Sequence, residues 1–220
     1  TFLGSYASGQ QNASFYIIGN AVQLAAVSGI FGVTMSIGGD RWEGTLPYLF
    51  GTPANRMMLF FGRAFMHIID GFLGVFIGLG WGWLLLGVDY SHTHLGALAL
   101  TILITTFSTA GLGLLMGCVS LITANVMFVN NTVYFLLLLF SGANVPLDTM
   151  PAWMLAVSNV LPLTRGIASA RALISGQPFS AVSSLLLGEF LIGCGYLLAG
   201  YLLFRWFETQ ARMRGTLETV

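Results

Sequence analysis

The chain has 220 residues, 56% of them hydrophobic and 7% charged, with a mean hydropathy of +0.83. A soluble domain carries about 25% charged residues; so few charges cannot cover a water-facing surface of this size, and the chain reads as an integral membrane protein. Eight arginines balance eight acids and lysine is absent, which argues against a nucleic-acid partner or a polybasic lipid-binding patch.

Residues 1–13, TFLGSYASGQQNA, are polar and uncharged and do not resemble a cleavable signal peptide. A helix crosses a hydrocarbon core of about 30 Å with about 20 apolar residues. Five runs meet that length, at 15–37, 64–88, 95–120, 124–142 and 181–204. They are hydrophobic all round and far longer than the roughly ten-residue alternation of a barrel strand. The expected fold is therefore all-α and polytopic, with five spans.

Between the first two runs lies DRWEGTLPYLFGTP, residues 40–53, a cluster of charges with two prolines. Asp40 and Glu43 sit where a helix N-terminus favours acids, and Gly44 and Pro47 break or restart the chain. A short helix lying across the membrane surface is expected there, as is, on physical grounds alone, an ordinary inter-helix loop.

Between the fourth and fifth runs, residues 141–178 are broken by Pro146, Pro151, Pro162 and Pro178. The apolar pieces are too short to cross and suit re-entrant or interfacial helices, with Trp153 at headgroup level. The arginines then orient the set. With loop 38–63 in the cytoplasm, Arg41, Arg56, Arg63, Arg205, Arg212 and Arg214 lie inside against Arg165 and Arg171 outside. Five spans put residues 1–12 outside, so a preceding span is expected, six in the natural protein.

Residues 40–65, DRWEGTLPYLFGTPANRMMLFFGRAF, resemble the stretch between the second and third spans of ABC-2 type permeases, including the daunorubicin and multidrug-exporter branch. The likeness runs through Asp40, Arg41, Glu43, Gly44, Thr45, Leu46, Leu49, Thr52, Pro53 and Arg56. Residues 140–177 are similar to the family's segment before the last span, through Ser-Gly, Pro-Leu, Pro-x-Trp, Leu-Pro-Leu and Arg171 followed by Ala-Leu. Arg165 departs from that pattern, which often has an uncharged aromatic residue there.

The resemblance implies a transport subunit of an exporter, acting as a dimer with a second copy or a paralogue. It implies a coupling helix at about 40–55 that docks on two separate ATP-binding subunits, which would bind ATP and Mg. A chain without lysine cannot supply the lysine of a phosphate-binding loop. Arg41 and Glu43 are the expected charged contacts, Trp42, Leu46 and Leu49 the apolar anchors, and Gly44 and Thr45 set the backbone path beside Asp40. By the same resemblance, 141–178 forms an external gate with Pro146, Pro151, Pro162 and Arg171. The implied cargo is a hydrophobic small molecule, with a lipid-linked glycan or polymer as the alternative, and the location is the cell membrane, with the coupling helix and C-terminus cytoplasmic.

Charges at bilayer depth face protein or water. His67 and Asp70 lie three apart on one helix face and form either a pathway-lining pair or an interfacial network near Arg63. Glu189, in the last span, either contacts a cationic substrate or is held by a neighbouring helix. Asn20, Gln23, Asn125, Asn130 and Asn131 are expected to join helices by hydrogen bonds. The rows GFLGVFIGLGWG, 71–82, and GLGLLMG, 111–117, are expected packing faces.

No metal site is expected. His92 and His94 fall short of a four-ligand set, and Cys118 and Cys194 sit in apolar runs as small hydrophobes. An intramembrane enzyme would need a nucleophile and base or paired carboxylates, and Asp70 and Glu189 are isolated. No catalytic residue is expected.

Overall fold

The computed structural model describes residues 13–52, 55–121 and 125–214. Among these every regular element is helical. In chain order they are α1 (Ala13–Ala26), a π-helical turn (Val27–Gly32), α2 (Val33–Trp42), α3 (Leu46–Gly51), α4 (Arg56–Leu86), α5 (Leu95–Ser120), α6 (Val126–Phe140), a 3-10 turn (Leu147–Thr149), α7 (Ala152–Val160), α8 (Thr164–Ile174) and α9 (Phe179–Arg214).

Four stretches are long and apolar enough to cross a membrane: Ser14–Asp40, Met57–Leu86, Leu95–Ser120 and Phe179–Thr209. The protein is thus a multi-pass membrane protein. The fifth expected span corresponds to α6, whose 15 residues reach about 22 Å at 1.5 Å per residue, short of the hydrocarbon thickness.

The second span begins well before the hydropathy reading puts it. Asn55 caps α4 by accepting from the amides of Met57 and Met58 at 3.1 and 3.4 Å, satisfying two of the helix's free N-terminal donors. Arg63 does not interrupt the helix because Asp40 neutralises it. The span therefore runs 57–86, and Asp70 falls near its middle.

Helix α5 is the centre of the bundle and packs on α1, α2, α4, α8 and α9. Its buried threonines return their hydroxyl protons to the backbone, Thr101 to Ala97 at 2.9 Å and Thr105 to Thr101 at 2.7 Å, so a polar side chain costs little at that depth. Thr109 also contacts the carbonyl of Ala25 at 3.1 Å, just ahead of the π turn.

The small-residue rows form packing faces in part: Gly74 and Gly80 have nothing within 4 Å, while other glycines of the rows meet neighbouring helices. Gly71, Gly78 and Gly82 face α1 or the π turn, and Gly117 lies on Ile37. Gly113 meets the π turn so closely that a Cβ there would overlap the carbonyl of Gly29. Lipid offers no hydrophobic drive between helices, so backbone approach of this kind supplies the dispersion contact.

Candidate functional site

At one end of the bundle, α2 and α3 are joined by a tight turn. The amide of Glu43 donates to Gly39 and that of Thr45 to Asp40, both at 2.9 Å, and the path requires a left-handed residue at Gly44, φ 69°, which glycine adopts without steric cost. Pro47, in the first turn of α3, presets its φ where no amide is needed. The six-residue α3 then ends at Thr52, whose hydroxyl donates to Leu49 at 3.0 Å.

Asp40 is turned inward. Its carboxylate accepts from both terminal nitrogens of Arg63, and Arg63 also donates to the carbonyl of Ser36. The Thr45 hydroxyl lies 3.2 Å from the Asp40 carbonyl and 3.3 Å from its carboxylate. Leu49 is half-buried against the apolar cluster that includes Val33, Phe60 and Phe204. Glu43, Gly44 and Thr45 are exposed. Among the large apolar residues Tyr48 stands out at 78% exposure. The side chains of Arg41, Trp42 and Leu46 lie outside the described residues, as does Pro53.

Halfway along the bundle, Asp70 Oδ2 lies 2.6 Å from the hydroxyl of Ser28, which is also 3.0 Å from the carbonyl of His67. Ser28 is in the π turn, and the His67 ring lies against Gly32, the turn's last residue. His67 and Asp70 of α4 thus address the two ends of a π turn, an element frequent at functional sites. Asp70 is exposed on the α4 face that carries Met66, Leu73 and Ile77.

At the opposite end, each proline opens or bends an element. Pro146 and Pro151 stand immediately before the 3-10 turn and α7, and Pro162 lies in the elbow between α7 and α8. Arg171, on α8, is bound entirely by carbonyls: Phe15 at 2.9 Å, Gly142 at 2.8 Å and Ala143 at 2.9 Å. Its guanidinium carbon lies 3.5 Å from the centroid of the Phe15 ring. Burial pulls its pKa down to about 10. Arg171 therefore ties α8 to α1 and to the segment after α6.

Glu189 is fully buried, and its Oε1 accepts from the amide of Leu163 at 2.6 Å. Asn20 donates to Asn144 at 3.1 Å, and the Ser141 hydroxyl lies 3.3 Å from Gln23 Oε1, joining α1 to the segment after α6. Asn125 caps α6.

Along the exposed face of α6 runs an open groove of about 730 Å³ lined by Phe128, Asn131, Thr132, Phe135, Leu139 and Asn144 among others. Its wall is apolar with a few amide and hydroxyl groups at the edge. Sequence reasoning missed this groove, and missed Tyr48 and Ser28. For Tyr48 the sequence shows only an aromatic directly after Pro47; nothing in the sequence marks the π turn that places Ser28.

No group of three or more His, Cys, Asp or Glu side chains that could hold a metal ion occurs among the described residues.

The family model for the ABC-2 type transporter matches residues 2–174. The chain belongs to the ABC-2 type transporter family. This membrane domain is a transport permease component and is not itself catalytic, and the family implies an ABC-type ATP-binding partner. No curated protein and no solved structure matches the chain. In this permease the matched region takes in the 40–55 turn, the π turn and the α7–α8 hairpin.

Proposed function

We propose that this permease is the translocation subunit of an exporter for hydrophobic small molecules. It works as a dimer with a second copy or a paralogue, driven by two ATP-binding subunits that bind ATP and Mg. The carrying observation is the open groove along α6: about 730 Å³ with an apolar wall and few polar groups, a surface that suits an apolar ligand.

The 40–55 segment is the coupling element. Asp40 and Thr45 fix the turn from within, while Glu43 and Tyr48 project from it. A rigid element held by both parts can transmit the closure of two ATPases as a rigid-body movement. Asp70 and Ser28 contribute polar groups to the pathway, and the α7–α8 hairpin with Arg171 forms its outer gate. In this reading the turn end and the C-terminal tail are cytoplasmic in the cell membrane.

The test is reconstitution of the full-length permease with its ATP-binding partner in proteoliposomes. Hydrophobic compounds should stimulate ATP turnover, and Phe135→Ala should raise the half-maximal concentration about tenfold, for roughly 1.4 kcal/mol of lost contact. Stimulation by lipid-linked glycans alone would favour the polymer reading instead.

A further inference from the structure

The elbow between α7 and α8 combines several features that are rarely tolerated together. Leu163 is fully buried and has φ 82°, the one positive φ recorded outside glycine among the described residues. A bulky residue in that conformation is strained. It also occupies the N-cap of α8, where a leucine side chain offers no acceptor.

Glu189 supplies what Leu163 lacks. It approaches from α9, ten residues after Phe179 and so about 15 Å along that helix. Its Oε1 takes the Leu163 amide at 2.6 Å, and the Gly166 amide and Ser108 hydroxyl face the same carboxyl group. Two turns further along α9, the hydroxyl of Tyr196 donates to the carbonyl of Val160 at 3.2 Å. Residues seven apart share a helix face, so one face of α9 grips both sides of the elbow.

The surroundings are tight and not fully satisfied. A Cβ at Gly166 would run into Thr105 of α5, and one at Gly188 would come within 2.9 Å of Arg165 Cδ. Arg165 donates to the carbonyl of Asn159 at 2.7 Å, and its positive charge also acts on the Glu189 carboxyl group. Thr164 Oγ1 and Ser169 Oγ are buried without a hydrogen-bond partner. A strained residue, a cap borrowed from another helix and two orphaned hydroxyls make an arrangement that a small displacement relieves.

We propose that Glu189 is a positioning residue that latches the α7–α8 hairpin: its carboxyl group caps α8 at Leu163 and holds the strained elbow against the last span. Release of that bond lets the hairpin lift. This rests on the reading of the hairpin as the outer gate, and assigns the element that keeps the gate closed at rest. Glu189 acts through Leu163, not on cargo, since it has no exposed surface.

The experiment uses the full-length permease with its ATP-binding partner in nanodiscs, with Cys118 and Cys194 replaced by serine. Ser169→Cys, buried on α8, reports hairpin lifting through its rate of labelling by a membrane-impermeant maleimide. Without nucleotide, Glu189→Ala should raise that rate about tenfold, the scale of a lost helix cap. Glu189→Gln, which keeps an oxygen for the Leu163 amide, should restore a near-native rate. Leu163→Gly, which removes the strain, should slow labelling in the Glu189→Ala background.

An unchanged rate in Glu189→Ala would overturn the latch, as would Glu189→Gln labelling as fast as alanine. A matching rise at a second reporter, Thr34→Cys, buried on α2, would also overturn it by showing general loosening. Addition of ATP to the native latch tests the gate reading separately: labelling that ignores nucleotide counts against the gate, while the resting rates still decide the latch.

Discussion

Arg63 and Asp40 clasp each other through two hydrogen bonds, at 2.6 and 3.2 Å, across the point where the first span ends and the second begins. The pair is partly shielded, with 31% and 13% of the two side chains exposed. A bidentate guanidinium–carboxylate contact fixes direction as well as distance. It therefore sets the angle at which the turn leaves the bundle.

Breaking this clasp should loosen the turn without unfolding the bundle. Arg63→Ala is expected to cost about 1–2 kcal/mol, between an exposed and a fully buried pair, and to lower transport-coupled ATP turnover. The exchange Asp40→Arg with Arg63→Asp should recover part of the coupling. Measured ATPase rates of the single and double variants check this, and equal losses in all three would count against a clasp.

Arg171 offers a test of buried charge. Arg171→Ala leaves the carbonyls of Gly142 and Ala143 without this donor, an expected loss of about 3 kcal/mol. Lysine should recover less than half, since it lacks the planar fork. Burial lowers the pKa to about 10 from the ordinary 12.5. The unfolded chain thus binds more protons only between those values, so the penalty of burying the charge is constant below 10 and fades as pH rises above it. Thermal stability in detergent should show no dependence on Arg171 between about pH 6 and 9.

Gly113→Ala should destabilise the bundle by about 1–3 kcal/mol through overpacking against Gly29. Gly74→Ala, where a Cβ meets nothing within 4 Å, serves as the neutral comparison. The yield of monodisperse protein after mild heating distinguishes them.

Four long helices were legible from unbroken apolar length, which overcounted the run 124–142, where the helix has only 15 residues, and the glycine rows announced their faces in part. The start of α4 was not: a hydropathy window penalises Arg63, and only the fold reveals Asp40 beside it. Asp70 moved for the same reason, from near the end of a span to its middle. The inner role of Asp40 and the outward position of Glu43 share one short motif, and no spacing rule separates them. Leu163 was hidden more deeply, since a positive φ at leucine arises from tertiary contacts that override local preference.

Asp70 stands exposed at mid-span with Ser28 as its neighbour. Asp70→Asn keeps a hydrogen-bonding partner for Ser28 and should leave folding intact, whereas Asp70→Leu places an apolar group against the hydroxyl. If these residues serve the pathway, both variants should change which hydrophobic compounds stimulate ATP turnover, with expression unchanged. Identical compound profiles in all three proteins would confine Asp70 to a structural part.

The central claim is that the turn around Glu43 and Tyr48 docks on a separate ATP-binding subunit. The most direct measurement places a photo-crosslinking amino acid at position 48 of the full-length permease and identifies what it captures in native membranes. Capture of a subunit carrying a phosphate-binding loop is expected, with capture and stimulated ATP turnover both lost when residues 41–49 are scrambled and membrane insertion is preserved. A well-inserted permease that captures only lipid there, or whose scrambled form still stimulates its ATPase, would contradict the account.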